Sequence, residues 1–353
     1  MINKLNRLAA KLLGEPIELK NLEKDAICLN PSEEQEVRPA IYIESHLQRV
    51  LGSHHLSSVA YEFERLHQKT AVHAATVLYS IGKTKLFRGG LWTEKNQVLT
   101  RLLKEKDPLY SVNLETAVLT DSDISNQYFG HWISDAVPAQ LVGTTDMPSL
   151  IFRKPHYQHA FEYANIFNLQ NINGNMGVVK NLYLLQDYSQ NSYKVKRYLQ
   201  LRQRLQKNLT SLIDSEHKGV FMARGNTGVK RSLINEDAVI EHLKTRGFDI
   251  VYPEKMTASD LTRRLWNAPL VISVEGSALN HCLYSMALHG AYLILQPPNL
   301  VNHVHKGICD AMNRLYGFYV CQPAQNSDEF YVDSMPDLDR VIDGLLNAIE
   351  KNK

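Results

Sequence analysis

The hydrophobic pattern changes character near residue 214. Before it, short β-branched and aromatic runs predict strands at 40–43, 72–81, 85–87, 97–100, 114–120, 150–152 and 181–185, with helices at 46–49, 57–67 and 160–167. Apolar residues at 195, 198, 199, 201, 205, 209 and 212 predict a long basic helix over 192–213 that bridges two halves, and Asp214-Ser-Glu-His-Lys218 breaks its period. Beyond it the alternation is more regular. Val220–Ala223, Phe248–Tyr252, Leu270–Val274 and Tyr292–Leu295 read as strands. Between them lie a helix from the cap Asn235 to Gly247, one from a Thr257–Asp260 capping box to Trp266, and one over 278–288. That spacing predicts a right-handed parallel α/β layer, followed by an amphipathic tail helix carrying Leu338, Val341, Ile342, Leu345, Leu346 and Ile349. The expected domains are an N-terminal helix and irregular lead-in over 1–39, a first α/β domain over 40–214, a second over 215–335, and a C-terminal helix over 336–353 that packs back across the interface.

The chemistry is expected at the turn after Leu270–Val274. Glu275-Gly276-Ser277-Ala278 leads from strand to helix, and such a start offers unpaired N–H groups and the positive end of the helix dipole, with Gly276 admitting a phosphate close to the backbone. In parallel α/β layers ligands bind outside the carboxyl ends of the strands, which collects Arg224, Glu254, residues 275–278 and residues 296–298 around one crevice, with Arg231 near. The competing structural reading is that Arg224 and Arg231 hold Glu236 or Asp237, that the turn is tight and carries no ligand, and that Asn280 bonds backbone in the core. A second constellation lies at Tyr128–Pro138. His131 and Asp135 stand one helical turn apart, with Trp132, Ile133, Ala136 and Val137 on the opposite face and Pro138 disturbing or ending the helix. They are either a common surface pair or a catalytic one.

Composition bounds these readings. A hydrophobic fraction of 44%, 22% charged residues and a net charge of +2 describe a globular protein without the basic excess of a nucleic-acid binder. The 4 cysteines lack CxxC spacing and read as reduced, mostly buried thiols. Residues 1–13 form an amphipathic helix, too polar for a signal sequence, that docks on its own domain or touches a membrane surface; no later run is long enough to span a bilayer. A cytoplasmic protein is expected, peripheral at the inner face of the plasma membrane if residues 1–13 touch lipid. The two Asp-x-Asp matches, Asp121-Ser-Asp123 and Asp337-Leu-Asp339, sit in a loop and in the tail helix, so the crevice suits a diphosphate stabilised by arginines and backbone without a metal.

The block Phe221-Met-Ala-Arg224-Gly225, Lys230-Arg231, Asn235-Glu236-Asp237, Gly247-Phe248 and Glu275-Gly-Ser-Ala-Leu-Asn280 resembles the C-terminal region of family 61 glycosyltransferases. Upstream, His131-Trp132 with Asp135 and Pro138 is similar to that family's other signature, and Glu275 departs from it where eukaryotic members usually have His. The resemblance spans roughly 40–335. It implies a GT-B-like α/β fold, two Rossmann-like domains facing a cleft, and an inverting, metal-independent transfer from a nucleotide-diphosphate sugar, UDP-linked, to a glycan or lipid-linked glycan acceptor in capsule, lipopolysaccharide or exopolysaccharide synthesis. Asp135 is then the first choice for the base and His131 the second. Arg224, Arg231 and the N–H groups of Ser277 and Ala278 hold the diphosphate, and Glu236 and Asn280 meet ribose or sugar hydroxyls, within a donor set that also includes Asn235, Glu275 and Gly276. The competing class is a non-catalytic sugar-nucleotide or glycan-binding subunit of an assembly complex.

Overall fold

The computed structural model describes residues 15–19, 22, 26–55, 57–101, 103, 106–225, 231–326 and 328–352. The expected helix at 1–13 and Lys230 lie outside the described residues. The chain forms two compact units, one of residues 1–33 and 73–198, the other of residues 34–72 and 199–353. The division therefore falls inside helix Ser192–Asn208, and residues 34–72 group with the C-terminal part of the chain.

In the first unit a nine-stranded sheet is built on two long antiparallel strands, Thr76–Phe87 and Met176–Gln186. On one side Met176–Gln186 runs parallel to Ser111–Leu119, and Ser149–Ile151 and Asn171–Asn173 extend that parallel half. On the other side Gly90–Thr93 and Gln97–Thr100 return antiparallel. This corrects the expectation of a Rossmann-like first domain. The chain leaves Thr76–Phe87 through Arg88-Gly89, a turn with no room for the crossover helix that a parallel neighbour needs.

The second unit carries the layer that the pattern predicts. Its five parallel strands run in the order Phe248–Val251, Gly219–Met222, Leu270–Val274, Ala291–Gln296, Leu315–Val320. Numbered along the chain this is 2-1-3-4-5, a doubly wound order that reverses between its first and third strands. The four strands read from sequence are present. The fifth, with helix Val304–Ala311 before it, was not read. Ile41 continues the sheet beyond that fifth strand: its N–H donates to Tyr316 O at 2.9 Å and its carbonyl accepts from Phe318 at 3.1 Å. The approach depends on Gly317, where a Cβ would lie 2.9 Å from Ile41 O. Helix Met335–Lys351 seats Leu338, Val341, Ile342, Leu345 and Ile349 on this same sheet. Each such side chain contributes about 1.5–3 kcal/mol when fully buried.

Candidate active site

Arg224, Arg231 and Glu275 come together at the topological switch point. Strand Gly219–Met222 delivers Arg224 and strand Leu270–Val274 delivers Glu275, side by side at their carboxyl ends. Nη1 of Arg224 donates to the carbonyl of Glu275 at 3.2 Å, and Nη1 of Arg231 donates to the same oxygen at 2.8 Å. Arg231 also pairs with the Glu275 carboxylate, Nη1 to Oε2 at 2.5 Å, and Nε of Arg231 is buried with no hydrogen-bond partner among the described residues. Both guanidinium groups crowd Gly276. Its φ of +153° lies where side chains are strained, and an added Cβ would sit 2.6 Å from Arg224 Nη1 and 3.1 Å from Arg231 Nη1.

The electrostatics follow from two cations held close together. Burial, and then the like charge of Arg231, pull Arg224 below its usual value against the opposing carboxylates of Glu275, Glu236 and Glu254. Burial pushes the Glu275 carboxyl up, against the attraction of Arg231 and Arg224. Glu236, raised by burial too, accepts the backbone N–H of Arg224 at 2.8 Å, so it fixes the arginine through its main chain. Glu254 closes this end: a side chain at Gly225 would run into its carboxylate.

Three expectations for this cluster change. Residues 277–282 form a six-residue 3-10 turn instead of an α-helix over 278–288, so few peptide dipoles align behind Ser277 and Ala278, and the positive potential here comes from the arginines. Asn235 makes no side-chain cap. Its amide donates to Val332 O at 2.8 Å and accepts from Val332 N at 3.1 Å, fastening the chain entering helix Glu236–Thr245 to residue 332. Asn280, 6% exposed, donates to Ser277 O at 3.3 Å and thereby bonds backbone within its own turn.

In the first unit His131 and Asp135 do meet. His131 Nδ1 lies 2.8 Å from Asp135 Oδ2, and the other carboxylate oxygen lies 2.5 Å from Lys194 Nζ. The backbone explains the geometry. Pro138 has no N–H and its ring crowds the carbonyl of Ser134, so the turn opens into a π-helix over Trp132–Ala136, in which Val137 N–H donates to Trp132 O. Tyr198 OH takes up the displaced Ser134 carbonyl at 2.9 Å, and Arg197 Nη1 bonds Pro138 O at 3.2 Å. Trp132, Ile133, Ala136 and Val137 are buried as the pattern predicts. Burial pushes the Asp135 carboxyl up, but the Lys194 charge and the His131 and Lys194 hydrogen bonds outweigh it and hold the group below its usual range. Lys194, read from sequence only as part of a basic helix, is fully buried. Its place at the opening turn of a long helix gave no sign of the contact.

The Asp-x-Asp matches are structural. Asp121 accepts from Asn126 Nδ2 and from the N–H groups of Phe152 and Arg153 at 2.8, 3.1 and 3.2 Å, and Asp123 pairs with Arg101. Asp339 pairs with His242 and Arg246. Among the described residues no group of three or more His, Cys, Asp and Glu could hold a metal ion, and no helix is long and apolar enough to cross a membrane.

Residues 129–293 match the family model described as Glycosyltransferase 61. The matched stretch opens at the His131 helix and ends in strand Ala291–Gln296, so it contains both clusters. The protein is a glycosyltransferase, one that binds a sugar donor and an acceptor. The matched stretch, a little under half of the chain, is similar to glycosyltransferase family 61. No curated protein matches the chain. Among solved structures, the crystal structure of the bacterial iron-containing dodecameric glycosyltransferase TibC from enterotoxigenic E. coli H10407 is similar at 10% identity and a TM-score of 0.34, over 79% of this chain and 94% of that one; a likeness at that level carries no argument about the site.

Proposed function

We propose that the protein transfers a sugar, with inversion, from a nucleoside-diphosphate donor held by the second unit to a glycan hydroxyl activated by the first. One observation carries this: two guanidinium groups converge on the Glu275 carbonyl beside a glycine whose added Cβ would crowd both of them, at the switch point of a 2-1-3-4-5 sheet. A departing diphosphate develops charge there, and paired arginines stabilise it without a cation. Glu275 occupies Arg231 as the diphosphate would, so the donor displaces it.

The base is His131 rather than Asp135. A carboxylate held low by Lys194 is a weak base, and with Asp135 accepting at Nδ1 the imidazole keeps the Nε2 lone pair for an acceptor hydroxyl. His131 is 38% exposed, enough to be reached. The acceptor proposed is a surface glycan or its lipid-linked precursor, and the working location is the cytoplasmic face of the membrane.

The test is incubation with a panel of nucleotide sugars and acceptor glycans in EDTA. Acceptor-dependent release of nucleoside diphosphate, with a product of inverted anomeric configuration, is expected. Release only with an added divalent cation, or a retained configuration, contradicts the proposal.

A further inference from the structure

We infer that Lys194 is a positioning residue for the transfer reaction, acting through Asp135 to set the protonation of His131. The inference rests on the assignment of His131 as the base.

Three facts separate Lys194 from an ordinary buried cation. Its Nζ donates to Asp135 Oδ1 at 2.5 Å and to the carbonyl of Asp187 at 3.0 Å, with none of its side chain exposed, so a lysine that is costly to bury is spent on one carboxylate oxygen. Its backbone is fixed as well, because Asn191 Oδ1 accepts the Lys194 N–H at 3.0 Å at the start of the helix. Its surroundings carry no second claim on the charge: the neighbouring Asp187 carboxylate is taken by Arg197 in a two-point pair of 2.7 and 2.8 Å. Among the described residues, the charged groups that face Asp135 are Lys194 from helix Ser192–Asn208 and His131 from the turn before Asp135 itself, with the ring of Tyr128 edge-on to His131 at 6.2 Å.

The two oxygens of Asp135 are therefore divided. One takes the Lys194 ammonium, and the other takes the Nδ1–H of His131, which must donate because a carboxylate only accepts. Lys194 keeps Asp135 ionised, which holds the imidazole in the tautomer whose Nε2 can accept a proton. It also offsets part of the Asp135 charge felt by the ring. With the carboxylate alone as neighbour, the ring would face an uncompensated negative charge, which favours the imidazolium over the neutral base.

The experiment compares the pH dependence of kcat/KM for the full chain with Lys194→Met, Lys194→Gln and Lys194→Arg, and follows the His131 ring by NMR, its signal assigned by loss in His131→Ala. Both neutral variants are expected to move the acid limb upward by roughly one pH unit, with the ring titration moving alongside and activity above the limb recovering to within a few-fold of wild type, while Lys194→Arg keeps the wild-type limb. A uniform loss at every pH with an unmoved His131 titration overturns the inference. So does an outcome in which both neutral variants fail to fold and Lys194→Arg behaves as wild type, for Lys194 is then structural support only. His131→Ala distinguishes the two levels: if it transfers sugar normally, the base assignment fails, whereas if it is inactive and the limb does not move, only the role of Lys194 fails.

Discussion

Arg231 meets Glu275 twice, its Nη1 lying 2.8 Å from the carbonyl oxygen and 2.5 Å from carboxylate Oε2. On the proposed reading, the contact occupies an arginine that the diphosphate would use. Glu275→Gln keeps the shape and removes the competing charge, so UDP should bind roughly tenfold more tightly at neutral pH. Burial raises the Glu275 carboxyl in the protein, so protonation as pH falls removes the same competition. The ratio of variant to wild-type affinity, measured by calorimetry, should shrink toward one at low pH. A ratio that stays constant with pH would show that Glu275 does not compete with the donor.

Gly276 is crowded by both arginines. Gly276→Ala should leave a folded protein, with strain of about 1–3 kcal/mol, and weaken UDP binding by roughly a hundredfold, because the new methyl pushes Arg224 out of place. Gly307→Ala is the control, since a Cβ there meets nothing within 4 Å. Equal UDP affinity in the two variants would contradict the placement of the diphosphate beside Gly276.

Asn235 was expected among the donor ligands and instead bonds both backbone groups of Val332. Asn235→Ala should lower unfolding stability by about 1–3 kcal/mol through the two lost partners. Donor affinity should be unchanged, and a large loss of affinity with unaltered stability would return Asn235 to the site.

His303 is buried and neutral. Its Nδ1 lies 2.8 Å from Tyr316 OH, and burial, aided by the charges of Arg65 and Lys306, lowers it to about 3. The unfolded chain takes this proton first, so the stability His303 contributes is complete above pH 6.5 and is lost as pH falls toward 3. At about 1.4 kcal/mol per unit, the gap from 6.5 to about 3 is on the order of 5 kcal/mol. Urea unfolding across that range should lose stability more slowly in His303→Phe than in wild type. Parallel slopes would count against a buried neutral imidazole.

The second unit was largely legible because its signals are local. Strands 220–223, 248–252, 270–274 and 292–295 and the Thr257–Asp260 cap could be read from runs of a few residues, and Arg224 and Gly276 followed from the rule about strand ends. What escaped was set by long-range contacts. Ile41 joins a strand more than 270 residues away in sequence, at Tyr316, and Lys194 reaches Asp135 across 59 residues. The fifth strand, Leu315–Val320, is a short apolar run whose neighbour in the sheet decides its state. His131 and Asp135 were visible as a spaced pair, yet their ranking depended on a charge that no local pattern announces.

Calorimetric titration of UDP into the full chain in EDTA, repeated with the double variant Arg224→Met, Arg231→Met, tests the central claim most directly. Wild type should bind without added cation, and the double variant should lose at least about a hundredfold, about 2.7 kcal/mol. Binding that needs a divalent cation, or that survives the loss of both arginines, would contradict it.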